Sequence, residues 1–339
     1  MADTGCNDAG SEGDWTGRPV SRNGSSPSRD IRFRGHQTNG SRPLATLTHG
    51  GPLLMALGYV TFITAAIVCI GIGVTCTLCV SPSAFRRTAA DLKNRIRTVA
   101  PYVGVTVLVL LLKRFTHEPR LELSYALDWD ITEEIYAVEG LFVAHLQTIV
   151  PDALIGFFSA MYMFGFPYLL VTALVLYFLL PTQRHFKELL IAYALNAAVG
   201  SLFYTLFIAY GPRNHLSAVS GLMYEFYPQT QELTAEVSAN TNVFPSLHTS
   251  LVVIVALFAW RSRRDYPQWF SIASVVATLV VISTMYLGIH WLVDVLAGVV
   301  LGIWCVLTAE RLVARAEGEA DRVSTPGDGE ESIASDISD

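Results

Sequence analysis

From residue 52 onward, the chain alternates long apolar runs with short polar segments. A helix rises about 1.5 Å per residue, so about 20 apolar residues are needed to cross the ~30 Å hydrocarbon core of a bilayer. Runs near 52–80, 98–113, 154–180, 188–210, 247–260, 268–287 and 290–309 reach or approach that length. They predict an all-α polytopic integral membrane bundle of six to seven transmembrane helices. The run opening at Leu247 is the shortest; it crosses only if its helix starts earlier or continues past Trp260.

Composition agrees with this reading. Of the 339 residues, 52% are apolar and only 15% are Asp, Glu, Lys or Arg, with a mean hydropathy of +0.41. Soluble domains are poorer in apolar and richer in charged residues. Residues 1–51 are rich in Gly, Ser, Arg and Asp and lack apolar periodicity, so a disordered tail is expected there. They have no compact signal-peptide pattern, and a start at Met55 is the alternative to a tail. Residues 314–339, acidic and rich in Ser, are expected to form a second disordered tail, leaving 52–313 as the membrane domain. The net charge of −6 lies mostly in tails and polar loops and suggests no nucleic-acid partner. Cys76 and Cys79 form a CTLC spacing that would suggest zinc or redox chemistry in a soluble protein. Within an apolar run and without a second ligand pair, it is read as packing.

Lys and Arg in the short loops set the orientation. Segment 81–97 holds Arg86, Arg87, Lys93, Arg95 and Arg97, segment 181–187 holds Arg184 and Lys187, and segment 261–266 holds Arg261, Arg263 and Arg264. With seven alternating spans these segments share one side, which the positive-inside rule makes cytoplasmic; Arg32, Arg34 and Arg42 in the N-terminal tail argue the other way. The opposite, non-cytoplasmic side receives two long segments, 114–153 and 211–246. In the first, EEIYAVEGLFVAHLQTIV reads either as an interfacial or re-entrant helix covering a site or as an ordinary solvated face.

Two polar islands on that side interrupt apolar sequence: NTNVFPSLHTS at 240–250 and YLGIHWLVD at 286–294. Pro245 suits a helix start and Ser246 a cap, which places His248 in a first turn near the positive end of the helix dipole, where a phosphate is welcome. His290 and Asp294, four residues apart, are expected on one helix face, where the carboxylate can fix the imidazole tautomer and stabilise its cation. Either histidine alone reads as a structural residue. Two histidines and an aspartate at helix starts on one side form a set that packing does not require, and ionisable residues at membrane depth are costly. Zinc binding by the same three residues is the rival chemistry, without an HExxH pattern to support it.

FPSLH (244–248) and STMYLGIHWLVD (283–294) resemble the paired motifs PSGH and SRxxxxxHxxxD of the type 2 phosphatidic acid phosphatase superfamily. Leu247 replaces the glycine and Thr284 the arginine, two departures that resemble the branch containing inositol phosphorylceramide synthase. The resemblance spans about residues 100–310. It implies that His290 is a nucleophile forming a phosphohistidine, that Asp294 orients it, and that His248 protonates the departing oxygen and then activates the acceptor. It further implies that Ser246 and neighbouring N–H groups hold phosphoryl oxygens.

The superfamily draws its cations from KxxxxxxRP and from the arginine missing here. Arg213 in YGPRNH stands where chain order assigns the first motif, with a loop arginine at the headgroups as its ordinary reading. Lys113 and Arg120 in KRFTHEPRL keep the seven-residue offset, but Leu121 replaces the proline and the segment lies one hairpin early, so a snorkelling anchor is the plainer reading of Lys113. No metal or other cofactor is required. The expected partners are the membrane, a lipid phosphate or phospholipid, and an alcohol acceptor such as inositol. A plain phosphatase using water and a non-enzymatic lipid transporter or scaffold are the alternatives.

Overall fold

The computed structural model describes residues 50–226 and 241–324. The expected N-terminal tail up to residue 49, part of the second long segment (227–240) and residues 325–339 lie outside the described residues. The chain forms α1 (Gly50–Cys79), α2 (Pro82–Ala90), α3 (Leu92–Phe115), α4 (His117–Leu127), α5 (Thr132–Glu139) and α6 (Phe142–Ile149). It continues with α7 (Asp152–Leu179), α8 (Arg184–Leu206), α9 (Leu247–Arg261), α10 (Pro267–Tyr286) and α11 (Leu292–Ser324). Among the described residues, six helices are long and apolar enough to cross a membrane: α1, α3, α7, α8, α10 and α11. Helix α9 is apolar but shorter. This is the all-α polytopic bundle that the apolar runs predict.

Helix α9 ends at Arg261, and its 15 residues rise about 22 Å, less than the ~30 Å core. It need not face lipid on its own. Val252, Ile254, Val255, Phe258 and Ala259 are fully buried, with α8, α10 and α11 packed around them. The approach of α11 depends on two glycines: a Cβ at Gly298 would stand 2.5 Å from the Ser246 carbonyl oxygen, and one at Gly302 would stand 2.7 Å from that of Ser250. Small residues at this spacing let two backbones touch within a membrane bundle.

One end of the bundle is fastened by charge. The buried Glu188 carboxylate accepts from Arg184 Nε at 2.8 Å and from Arg261 Nη2 at 3.0 Å, while Arg261 Nη1 reaches Glu310 at 2.5 Å and Lys187 reaches Glu317 at 2.8 Å. Segment 81–97, read from sequence as a loop, is instead helical, comprising α2 and the start of α3. Arg95 is buried there and donates to the carbonyls of Phe178 at 2.9 Å and Leu180 at 2.7 Å. Carbonyls at a helix C-terminus lack partners of their own, and an arginine meets that need. The last helix runs to Ser324, past residue 313, its extension tied back through Glu317. Cys76 and Cys305 lie in the apolar core.

At the other end, segment 114–153 folds into α4, α5 and α6. Short backbone bridges knit this end together: Ile131 N donates to Ile208 O at 2.9 Å, and Ala209 N donates to Thr241 O at 3.1 Å. Ile135 and Val143 are buried, so the EEIYAVEGLFVAHLQTIV segment packs on the bundle end as helices, while its acidic Glu133 and Glu134 stay exposed as a solvated face.

Candidate active site

The first half of the site is the start of α9. Ser246 is the cap residue and Leu247 the first helical one, so Pro245 precedes the cap instead of opening the helix. The buried Ser246 hydroxyl accepts from Thr249 N at 3.3 Å, leaving His248 in the first turn as expected. The Ser246 N–H donates to the Asp294 carbonyl at 3.0 Å, a direct backbone link to the second half of the site.

The second half is the turn between α10 and α11. Gly288 adopts φ +70°, a conformation that costs other residues energy, and a Cβ there would also press on Val219 at 2.9 Å. Beyond it, the N–H groups of Ile289 and His290 both donate to Thr284 O, at 3.0 and 3.1 Å. Helix α11 starts at Leu292, so His290 stands ahead of it; the expectation that His290 and Asp294 share a helix face is corrected accordingly. Asp294 occupies the third helical position, and its Oδ2 accepts from Trp291 N at 2.8 Å, the reach-back of a capping box. The same oxygen lies 3.5 Å from His290 Nδ1, within ion-pair range but long for a hydrogen bond. The residues meet because the turn folds back on the helix start. Asp294 is fully buried and His290 is 3% exposed.

The two halves converge, with ring centroids of His248 and His290 5.8 Å apart. A single π turn, Met161–Gly165, interrupts α7 beside them. Such turns re-aim side chains and recur at functional sites. Here the rings of Tyr162 and Phe166 pack on His248 at 4.8 and 4.6 Å.

Cations approach from two directions. Arg213 donates its N–H to Gly288 O at 3.2 Å and its Nη2 to the Tyr224 hydroxyl at 2.9 Å, with the guanidinium 4.6 Å from that ring's centroid. Its Nη1 is buried and has no hydrogen-bond partner among the described residues. Arg213 lies within electrostatic reach of His290, and Lys113 within reach of His248. Arg120 Nη2 donates to Lys113 O at 2.8 Å, and Arg120 lines a small hollow with His117, Leu121, Tyr204 and Asn242. Chain order had set Lys113 and Arg120 one hairpin too early; α4 folds back against α8 and brings them to the same end. All seven candidates therefore gather there. Among the described residues, no group of three or more His, Cys, Asp or Glu is arranged to hold a metal ion.

Two further residues escaped the sequence reading. The Tyr204 hydroxyl donates to Pro245 O at 3.1 Å, steadying the approach to the α9 cap. Glu139, at the end of α5, accepts from Val293 N at 3.0 Å. Its only sequence signal was a third carboxylate in EEIYAVEG, indistinguishable there from its exposed neighbours Glu133 and Glu134.

Residues 140–308 match the family model of the PAP2 superfamily. The matched segment contains Arg213, Ser246, His248, His290 and Asp294 but neither Lys113 nor Arg120. An uncharacterized protein of Methanocaldococcus jannaschii is 29% identical over 164 residues, covering 48% of this chain and 63% of the relative. The chain thus spans less than two thirds of that relative's length. No solved structure matches. The family match agrees with the two motifs that resemble the type 2 phosphatidic acid phosphatase superfamily, and the six long apolar helices fit a protein of the membrane.

Proposed function

We propose, taking the PAP2 superfamily domain as premise, that this membrane enzyme transfers a phosphoryl or phospho-head group from a lipid through a covalent intermediate on His290. The observation that carries the reading is the convergence of His290, Asp294 and His248 at two adjoining helix starts. An imidazole nitrogen of His290 attacks phosphorus as the bond from phosphorus to the departing oxygen breaks. Asp294 stabilises the ring as it becomes cationic. Protonated His248 gives its proton to the departing oxygen, then takes one from the acceptor hydroxyl as that oxygen attacks phosphorus and releases His290.

The cap of α9 supplies the electrostatics, with Ser246 and the first N–H groups directed at phosphoryl oxygens. Arg213 contributes the cation, its buried Nη1 being a donor in want of an acceptor. Lys113 and Arg120 stand as a second set on the His248 side.

The motif variants Leu247 and Thr284 favour an inositol phosphorylceramide synthase-like transfer to an alcohol such as inositol. Burial of His290 and the rings on His248 agree with this, because a site that excludes bulk water protects the intermediate from hydrolysis. The site is assigned to the non-cytoplasmic side, since the basic segments 181–187 and 261–266 lie at the opposite bundle end. The test is purified enzyme in detergent with a panel of lipid phosphates and phospholipids, with and without inositol, following free phosphate and new lipids together. A new head-grouped lipid that needs the alcohol supports transfer; phosphate release regardless of alcohol makes the enzyme a hydrolase. Products undiminished in His290→Ala would end the mechanism.

A further inference from the structure

The N-terminus of α11 carries two carboxylates of different origin. Asp294 belongs to the helix and accepts from Trp291 N at 2.8 Å. Glu139 comes from α5, a separate helix ahead of the matched segment, and its Oε2 accepts from Val293 N at 3.0 Å. The two bonded N–H groups therefore flank Leu292, between the residue that follows His290 and the one that precedes Asp294. Initial N–H groups of a helix have no partner within it, so each must be met from outside or by a capping side chain. Glu139 does this for the helix that carries the acid of the site.

Helix α5 is held against this turn by more than one contact. The Tyr136 ring lies 6.3 Å from Trp291 and 5.4 Å from His215, and Trp291 Nε1 donates to Tyr210 O at 2.8 Å. The Tyr210 N–H in turn donates to the Thr132 hydroxyl at 3.0 Å. Gln147 of α6 binds both the N–H and carbonyl of Ser220, at 3.0 and 2.9 Å, and donates to Tyr286 O at 2.9 Å. The covering helices are thus strapped to both sides of the His290 turn. Within that strap Glu139 is a carboxylate aimed at the helix start, with a second oxygen that is buried and has no hydrogen-bond partner among the described residues.

We infer that Glu139 is a positioning residue of this site: its carboxylate caps α11 from the covering helix and so fixes the backbone that sets Asp294 against His290. The inference rests on the reading of His290 and Asp294 given above. Glu139 touches neither imidazole in the contacts described, so it acts through the helix start. Its loss should lower turnover and leave substrate affinity nearly intact. A residue that merely closed the lid over the substrate would raise KM instead.

The test compares Glu139→Ala, Glu139→Gln and His290→Ala in the full-length enzyme, with amide hydrogen exchange measured on peptides covering residues 288–296. The glutamine oxygen can still accept from Val293 N, so Glu139→Gln should keep kcat within about 3-fold and leave exchange unchanged. Glu139→Ala should lower kcat by about 10-fold or more, with KM within about 2-fold and faster exchange in that peptide, since small misplacements of a catalytic group cost about this much. If Glu139→Ala does not fold, Glu139→Asp, whose shorter arm falls short of Val293, should show the same kcat loss and faster exchange. Full kcat and unchanged exchange in Glu139→Ala, or in Glu139→Asp where the alanine variant does not fold, would overturn the inference, as would a loss confined to KM. Activity surviving in His290→Ala would instead remove the reading on which it rests.

Discussion

The rings of His248 and His290 meet at 5.8 Å although they come from different helix starts, and the Ser246 N–H bonded to the Asp294 carbonyl at 3.0 Å locks those starts together. A phosphorus atom held by one imidazole can therefore turn its departing oxygen to the other without either helix moving. His290→Ala should fold and lose nearly all turnover, and Asp294→Asn should lose about 10²–10⁴-fold, the range for removing an acid–base partner or its orienter. Rapid-quench trapping with radiolabelled phosphate should give an acid-labile, base-stable adduct that is absent from His290→Ala. An adduct persisting in that variant would sink the assignment.

His248 sits in the first turn of α9, with its ring packed on Tyr162 and Phe166 and 5.8 Å from the ring of His290. As the proton donor it matters most when the departing oxygen is basic. His248→Ala should lose about 10²–10⁴-fold on alkyl phosphate lipids but much less on an aryl phosphate whose phenolate leaves unaided. Equal losses on both substrate kinds would show that His248 does not protonate the departing oxygen.

Arg213 is held by its backbone at Gly288 and by its Nη2 at Tyr224, which leaves one buried donor directed elsewhere. Arg213→Lys keeps the charge but loses the fork that reaches tyrosine and phosphate together, so it should not rescue Arg213→Ala. Both should raise KM for the phosphorylated lipid by about 10-fold or more, consistent with a lost charge-assisted bond of about 1.5–3 kcal/mol. Initial-rate kinetics with varied lipid decide the matter; unchanged KM passes the phosphate to Lys113 and Arg120.

Much of this was legible in the sequence. Apolar runs set the helices because lipid leaves a spanning backbone no partner but itself. The cap of α9 was legible too, through Ser246 before an apolar run, whereas the capping role of Asp294 on α11 was not. What failed was inference from spacing alone. His290 and Asp294 are four apart, but the left-handed Gly288 delays the helix until Leu292, so a turn brings them together. Arg95 lay in a polar segment and read as a loop cation, yet it is buried on the carbonyls ending α7. The partner of Glu139 stands on a helix distant in sequence, and no local pattern announces such a contact.

At the opposite end, Glu188 is fully buried and bonded to Arg184 and Arg261. Removing Glu188 takes a charged acceptor from Arg184, which is half exposed, and from Arg261, which keeps Glu310, and costs about 1.5–3 kcal/mol. Glu188→Ala should therefore lower thermal stability in detergent markedly while leaving KM unchanged in the surviving folded enzyme. Thermal unfolding beside lipid kinetics checks both halves. A changed KM would mean that the two bundle ends are coupled.

Glu139 makes stability depend on pH in a direction opposite to that of an ordinary surface carboxylate. Burial pushes its carboxyl above the usual range and the charge of Asp294 adds to this, while the N–H of Val293 pulls the other way. Asp294 is the charged group facing it from α11; on its own helix Glu133 and Glu134 are exposed, and Glu133 lies 3.8 Å from His215. A carboxyl raised on folding holds its proton more tightly in the folded state. Its stabilising contribution is complete below the unfolded value and is lost as pH rises through the folded one. Glu139→Gln, which cannot ionise, should therefore gain stability relative to the wild type as pH climbs from about 4 to about 8, with the difference levelling off at the acid end. Parallel melting curves across that range provide the measurement. A difference that stays constant with pH would show that Glu139 keeps its ordinary acidity at the start of α11.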